Sequence, residues 1–247
     1  MDLTLAYPDP RYPRAALIEP PATGYLLLAA VVAPAIGQTP LRRRSPRKTA
    51  LLAELKTLAA GAARLPGVTR ATVYRSALVP PLSADARRMA RRPAQYDVVV
   101  LVETTTAAAA AEVGASAELG RLRDAMTAAS EDVYVTRASC VRAMGDVDKS
   151  RPGLFLFNFF VAADREVALE LWGYLAGWYA AETRLDNSTL LSPADGGDYA
   201  CINHARWDMS LPAFAARQFG KRSFFRYVLG NMRANKTAAM PILYRLA

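Results

Sequence analysis

The chain is poor in the side chains that most catalytic scaffolds rely on. Its 247 residues include two cysteines and one histidine. Two thiols, Cys140 and Cys201, make no disulfide framework. Both sit in apolar, strand-like stretches where a small buried thiol is the ordinary outcome, which points to a reducing compartment, the cytoplasm. With His204 alone, no second imidazole exists for a histidine-based metal site, and any imidazole base must be this residue. Neither a phosphate-cradling glycine loop nor a Cys/His/Asp/Glu cluster at metal-ligand spacing occurs. No motif for a metal or for a phosphate-bearing cofactor is therefore seen. Apolar runs are short as well. The stretch from Tyr25 to Ile36 falls below the ~20 residues needed to span a bilayer and is interrupted by Pro34. The opening Met1-Asp2-Leu3-Thr4-Leu5 carries no basic leader before an apolar segment. Neither a secretory signal nor a membrane partner is expected.

An apolar fraction of 52% is enough for a sizeable core. The net charge of +9 comes from 31 basic and 22 acidic residues. Its excess gathers in Arg42-Arg43-Arg44, Arg47-Lys48, Arg87-Arg88 and Arg91-Arg92, within Pro- and Ser-rich segments that read as solvated loops. A polyanion site or a seat for an acidic ligand tail is the sharper alternative. The aromatic signature of RNA-binding sheets does not appear, so a nucleic-acid partner is not expected.

Residues 1–23 carry five prolines, a density that blocks helix interiors and central strands. They read as an irregular arm over the surface or over a partner subunit. Beyond it the pattern is regular. Tyr25 to Val32 reads as a strand, Thr49 to Leu65 as a helix stopped by Pro66-Gly67, and Val68 to Leu78 as a strand. A basic insertion, Leu82 to Arg92, precedes the branched strand Tyr96 to Glu103. An alanine-rich helix, Thr106 to Ala129, and a strand, Val133 to Met144, complete the first half. The second half repeats the order. Leu154 to Val161 is a strand, Arg165 to Thr183 a helix capped by Asp164, and Leu185 to Leu191 a strand. Tyr199 to Asp208 is the third strand, Leu211 to about Ala234 a helix broken near Gly220, and Ile242 to Leu246 the last strand. Strand–helix–strand–strand–helix–strand is the ferredoxin-like unit. It leaves one sheet face bare, and two such units can cover one another. The expected fold is α+β: tandem ferredoxin-like repeats, 24–150 and 151–247, forming an α+β barrel within one chain.

The candidate site lies on the strand from Tyr199 to Asp208. Alternation puts Tyr199, Cys201, Asn203, Ala205 and Trp207 on one face, and Ile202, His204 and Arg206 on the other. An amide and an indole can then form one wall of a pocket for a flat, partly polar molecule. Asn158 shares a strand face with Leu154, Leu156 and Phe160, as a structural amide or as a donor to a ligand. On the helix Arg165 to Thr183, Trp172, Leu175 and Tyr179 follow one stripe and Leu171, Tyr174 and Trp178 another, so the helix is buried on two sides. Trp172 and Tyr179 could wall a pocket for a planar ligand. His204 is read as a structural or surface residue, or as a general base or haem ligand; a bulge would move it to the other face.

Several segments taken together resemble the antibiotic biosynthesis monooxygenases, a family of dimeric α+β barrels. They are Leu156-Phe-Asn-Phe-Phe160, the Trp172 helix, Thr183-Arg-Leu185, Asn203-His-Ala-Arg-Trp-Asp208 and Pro241-Ile-Leu-Tyr-Arg245. The resemblance covers residues 153–247, and residues 24–150 look like a diverged copy without the Asn–Trp pair. It implies cofactor-independent oxidation of anthrone-like or polyketide-like phenols to quinones, with Asn203 and Trp207 catalytic and donating to a developing oxyanion. Asn158, Trp172, Tyr179 and His204 then stand as substrate-binding candidates. The family's haem-degrading branch needs a Trp and a His on the helix after the third strand, and Leu211 to Ala234 has neither. A non-catalytic binding or structural barrel and a haem-binding barrel through His204 stay open beside the enzyme. So does a homodimer formed through the proline arm.

Overall fold

The computed structural model describes residues 2–33, 45–130, 132–194 and 196–247. The basic cluster Arg42-Arg43-Arg44 falls outside them. Eight strands close into one antiparallel barrel. They are β1 (Gly24–Ala30), β2 (Val68–Leu78), β3 (Val98–Thr104), β4 (Val133–Gly145), β5 (Leu154–Ala162), β6 (Ser188–Pro193), β7 (Cys201–Trp207) and β8 (Thr237–Leu246). The order around the barrel is β1-β3-β2-β8-β5-β7-β6-β4. Each half of the chain thus supplies four adjacent strands in the same internal order. The halves join where β2 meets β8 and β4 meets β6.

Alternation along the strands sorts the core into layers. Inward residues fill the barrel, among them Leu27, Leu101, Phe155, Phe157, Phe159, Ile242 and Tyr244. A barrel of eight strands has an interior just wide enough for side chains to fill. Outward residues meet helices. In the first half, Leu26, Leu28, Val98, Val100 and Val102 pack against α1 (Pro46–Ala62), α3 (Ala107–Gly114) and α4 (Ala117–Ala129). The single alanine-rich helix expected over 106–129 is two, because Ser116 caps a new start by accepting from Leu119 N. The basic insertion holds a short helix, α2 (Ala84–Met89), capped by Ser83.

In the second half, α5 (Arg165–Thr183) has the expected bounds, and Asp164 accepts from Glu166 N and Val167 N. The helical tract after β7 is broken into α6 (Leu211–Phe219), a π-helical turn (Phe224–Leu229) and α7 (Gly230–Ala234). β8 starts five residues before the expected Ile242. Pro241 pairs with Asn158 on β5, while β2 joins β8 only from Leu243 onward. The missing N–H therefore falls where β8 has a neighbour on one side only.

The proline arm lies on its own chain, across the outer side of α5 and α7. Ala15 N donates to Gly173 O. Asn231 and Asn235 each accept from and donate to the arm backbone, at Tyr7 and Thr4. Tyr12 is buried against Trp178 and Tyr227. Gly177 makes this approach possible, since a Cβ there would lie 1.9 Å from Pro13 O. The second apolar stripe of α5 is thus covered by the arm.

Candidate functional site

Between the outer face of the second-half sheet and its helices lies a cavity of about 290 Å³. β5 and β7 form its floor with Leu156, Asn158, Asn203 and Trp207; α5 forms a wall with Trp172, Leu175 and Tyr179. The tract from α6 to α7 covers it. Pro80, Pro81, Ser83 and Asp85 of the first half reach its rim, where Asp85 meets Arg233 at 3.3 Å. Among the described residues lining it, Asp85 and Arg233 carry the only charges. The interior is apolar and aromatic apart from a few neutral polar groups.

Asn158 and Asn203 are direct cross-strand partners. Facing amides on neighbouring strands lie within reach of one small molecule. The Ser188 hydroxyl donates to Asn203 Oδ1 at 2.6 Å, which leaves the Asn203 amide nitrogen without a partner among the described residues. Asn158 Oδ1 is buried and has no hydrogen-bond partner there either. A buried polar atom in that state costs about 1–3 kcal/mol. In the first half, Leu28 of β1 pairs with Val100 of β3, and both sit in solid hydrocarbon.

Trp207 presents its ring to the cavity, tilted 59° to that of Phe214 with centroids 4.7 Å apart. Its N–H is not free to serve as the oxyanion donor expected from the sequence. It donates to Thr183 Oγ1 at 3.0 Å, and that hydroxyl donates to Tyr179 O at 2.6 Å. Thr183 therefore fixes the indole as a wall. Thr183→Val should cost about 1–2 kcal/mol in thermal or urea unfolding, since the buried indole N–H loses its acceptor. Burial pushes the Tyr179 phenol above its ordinary range, so it stays protonated and able to donate.

Five of the six residues singled out from the sequence line this cavity: Asn158, Trp172, Tyr179, Asn203 and Trp207. His204 is not brought to it. It points into the barrel, 1% exposed, stacked on Phe157 at 4.2 Å. Nδ1 lies 3.0 Å from Leu156 O, a pure acceptor, so Nδ1 carries the proton and Nε2 accepts from the Tyr74 hydroxyl at 3.3 Å. Both ring nitrogens are engaged, and β7 has no bulge to turn the ring outward. The residue does not fit a haem ligand. Tyr199 also departs from the expected face. It precedes the start of β7 and turns into the barrel cluster, with its hydroxyl 2.7 Å from that of Tyr96. Gln218 was missed. It is buried one turn after Phe214 on the inner face of α6 and lines the cavity. An amide among apolar residues at helical spacing was its available signal.

Burial, with Lys149 nearby, holds His204 well below its ordinary value of 6.5. The folded imidazole stays neutral while the unfolded one takes up a proton as pH falls through 6.5. Stability is thus present above that pH and is lost below it, approaching about 1.4 kcal/mol per unit. Urea unfolding of the wild type should weaken from pH 7 to pH 5, and His204→Leu should flatten that slope. With one histidine in the chain, equal slopes would contradict the buried neutral assignment.

No protein-family model matches the chain, and no curated protein is detectably similar in sequence. Solved structures are similar in fold. One is an anthrone oxidase-like protein, with a TM-score of 0.63 at 13% identity over 91% of both chains. A candidate monooxygenase from Fusobacterium nucleatum subsp. nucleatum gives 0.55 at 6% identity, again over 91% of both chains. A mutant chlorite dismutase from Candidatus Nitrospira defluvii gives 0.50 at 12% identity over 94% of both. What these structures share with the chain is the barrel fold.

Proposed function

We propose that the chain is a cofactor-independent monooxygenase that oxidises a flat, phenolic substrate of the anthrone or polyketide type. The observation that carries this reading is the pair of facing carboxamides on the floor of an otherwise apolar cavity. At about 290 Å³ the cavity is near the lower end of the usual range for small-molecule sites, about 300–1,000 Å³. The fold likeness to an anthrone oxidase-like protein agrees with it.

The chemistry is R₂CH₂ + O₂ → R₂C=O + H₂O. One C–H proton leaves to solvent, and the resulting anion delocalises onto the ring oxygen. An electron passes to O₂, and the substrate radical and superoxide combine through a new C–O bond. The peroxide anion takes a proton. Loss of the second C–H proton then cleaves the O–O bond, giving the carbonyl and hydroxide, which is protonated to water. Neutral donors suit the anion: the Asn203 and Asn158 amides and the Tyr179 hydroxyl offer hydrogen bonds in a water-poor space. Trp207 and Trp172 hold the ring plane. We read the two halves as a duplicated ferredoxin-like unit in which residues 24–150 lost the site and kept the packing.

Oxygen uptake with an anthrone in chelator-treated buffer tests the reading. Turnover giving quinone and water is expected, with a rate that climbs with pH along the substrate's own ionisation, because the inner cavity supplies no titrating carboxylate or imidazole. Absence of turnover, or turnover only after metal or flavin is added, would reject it. The second reading, a binding barrel without catalysis, predicts tight association with the same ligand and no oxygen uptake.

A further inference from the structure

We propose that the rim of the cavity docks on an anionic lipid surface, with Phe219 and Phe225 entering the interface. Among the described residues these two are the most exposed large apolar side chains, at 52% and 53%. Both border the cavity, so two of the six exposed large apolar side chains among the described residues stand at its entrance. From Met209 to Thr237 the chain carries six Lys or Arg and no Asp or Glu. The opposite rim, Pro80 to Asp85, leads directly into Arg87 and Arg88, of which Arg88 pairs with Asp85. Arg222, Arg226 and Arg87 are exposed, and Arg226 sits over the ring of Tyr7, a third exposed aromatic, at 5.5 Å.

Cations interleaved with exposed aromatics on short helical segments are the mark of a protein that lies on a membrane rather than through it. No described helix is long and apolar enough to cross one. Each cation near an anionic surface adds about fivefold to the association constant, and salt removes that gain. The cavity beside this rim fits a lipid occupant. An apolar cavity takes ligands that partition into lipid, and an entrance held against the interface lets them pass without crossing water. The docking stands on the rim's own residues and does not depend on the oxidation chemistry.

Sedimentation of the full chain with vesicles tests the proposal. Phosphatidylglycerol–phosphatidylcholine vesicles should retain it at about 0.1 M salt and release it at roughly 0.5 M; phosphatidylcholine alone should not retain it. Phe219→Ser/Phe225→Ser should weaken retention at least about tenfold, and Arg222→Glu/Arg87→Glu by a similar factor, with circular dichroism unchanged. No retention on anionic vesicles overturns the proposal. So does retention that ignores the phenylalanine pair, which would mean charge attraction alone. Capture by polyaspartate without vesicle binding would assign the rim to an acidic protein and also overturn it.

Discussion

Asn203→Leu should lower kcat/KM for an anthrone by about 10²–10³ while leaving the unfolding midpoint near the wild-type value. Removal of one preorganised donor aimed at a developing oxyanion typically has that kinetic cost. Stability should barely move, because leucine suits a face already lined by Leu156 and Phe160. The Ser188 hydroxyl that held Asn203 still has the His204 carbonyl within 3.2 Å. Steady-state oxygen uptake, with thermal unfolding as the control, reads both quantities. Asn158→Leu should behave alike in sign, and it also removes the buried, unpartnered Oδ1. An Asn203→Leu enzyme with wild-type kcat/KM would remove the amide from the mechanism.

Lys149→Met should destabilise the fold by about 3–5 kcal/mol, the largest single-substitution loss expected outside the hydrocarbon core. Lys149 and Glu103 form an ion pair at 2.9 Å with side chains 4% and 9% exposed. The lysine also donates to Val147 O at 2.8 Å. Without it, the one cation left beside Glu103 among the described residues is Arg70, at 3.9 Å and half exposed. The carboxylate is then a buried charge with weak compensation. Glu103→Leu/Lys149→Met should recover most of the loss, since an apolar pair of similar volume removes both desolvation penalties. Urea unfolding of the two single variants and the double variant gives the coupling directly. Additive losses would show that the two charges do not act as a pair.

The site was legible where strand alternation governs it. Asn203 and Trp207 share a face because β7 is regular over its whole length, and the same rule sends His204 into the barrel. Asn158 was legible as a polar residue on an apolar face, and Trp172 and Tyr179 as one stripe of α5. What escaped depends on contacts between distant segments. Thr183 engaging the Trp207 N–H joins a helix end to a strand end, and no spacing announces it. The seat of the arm rests on Gly173 and Gly177, which look like ordinary helix-weakening glycines until Arg14 lies on the first and Pro13 on the second. The contribution of Pro80 to Asp85 to the cavity rim needs the barrel closed, because only β2–β8 pairing brings the halves together there. Tyr199 was misplaced because strand logic was carried two residues past the strand's actual start.

A crystal structure of the chain saturated with an anthraquinone product tests the central claim most directly. The ring system is expected in the second-half cavity, against Trp207 and Trp172. One quinone oxygen should lie at hydrogen-bond distance, about 2.7–3.2 Å, from the Asn203 or Asn158 amide nitrogen. Product bound elsewhere with that cavity empty, or seated there with its oxygens turned from both amides, would contradict it.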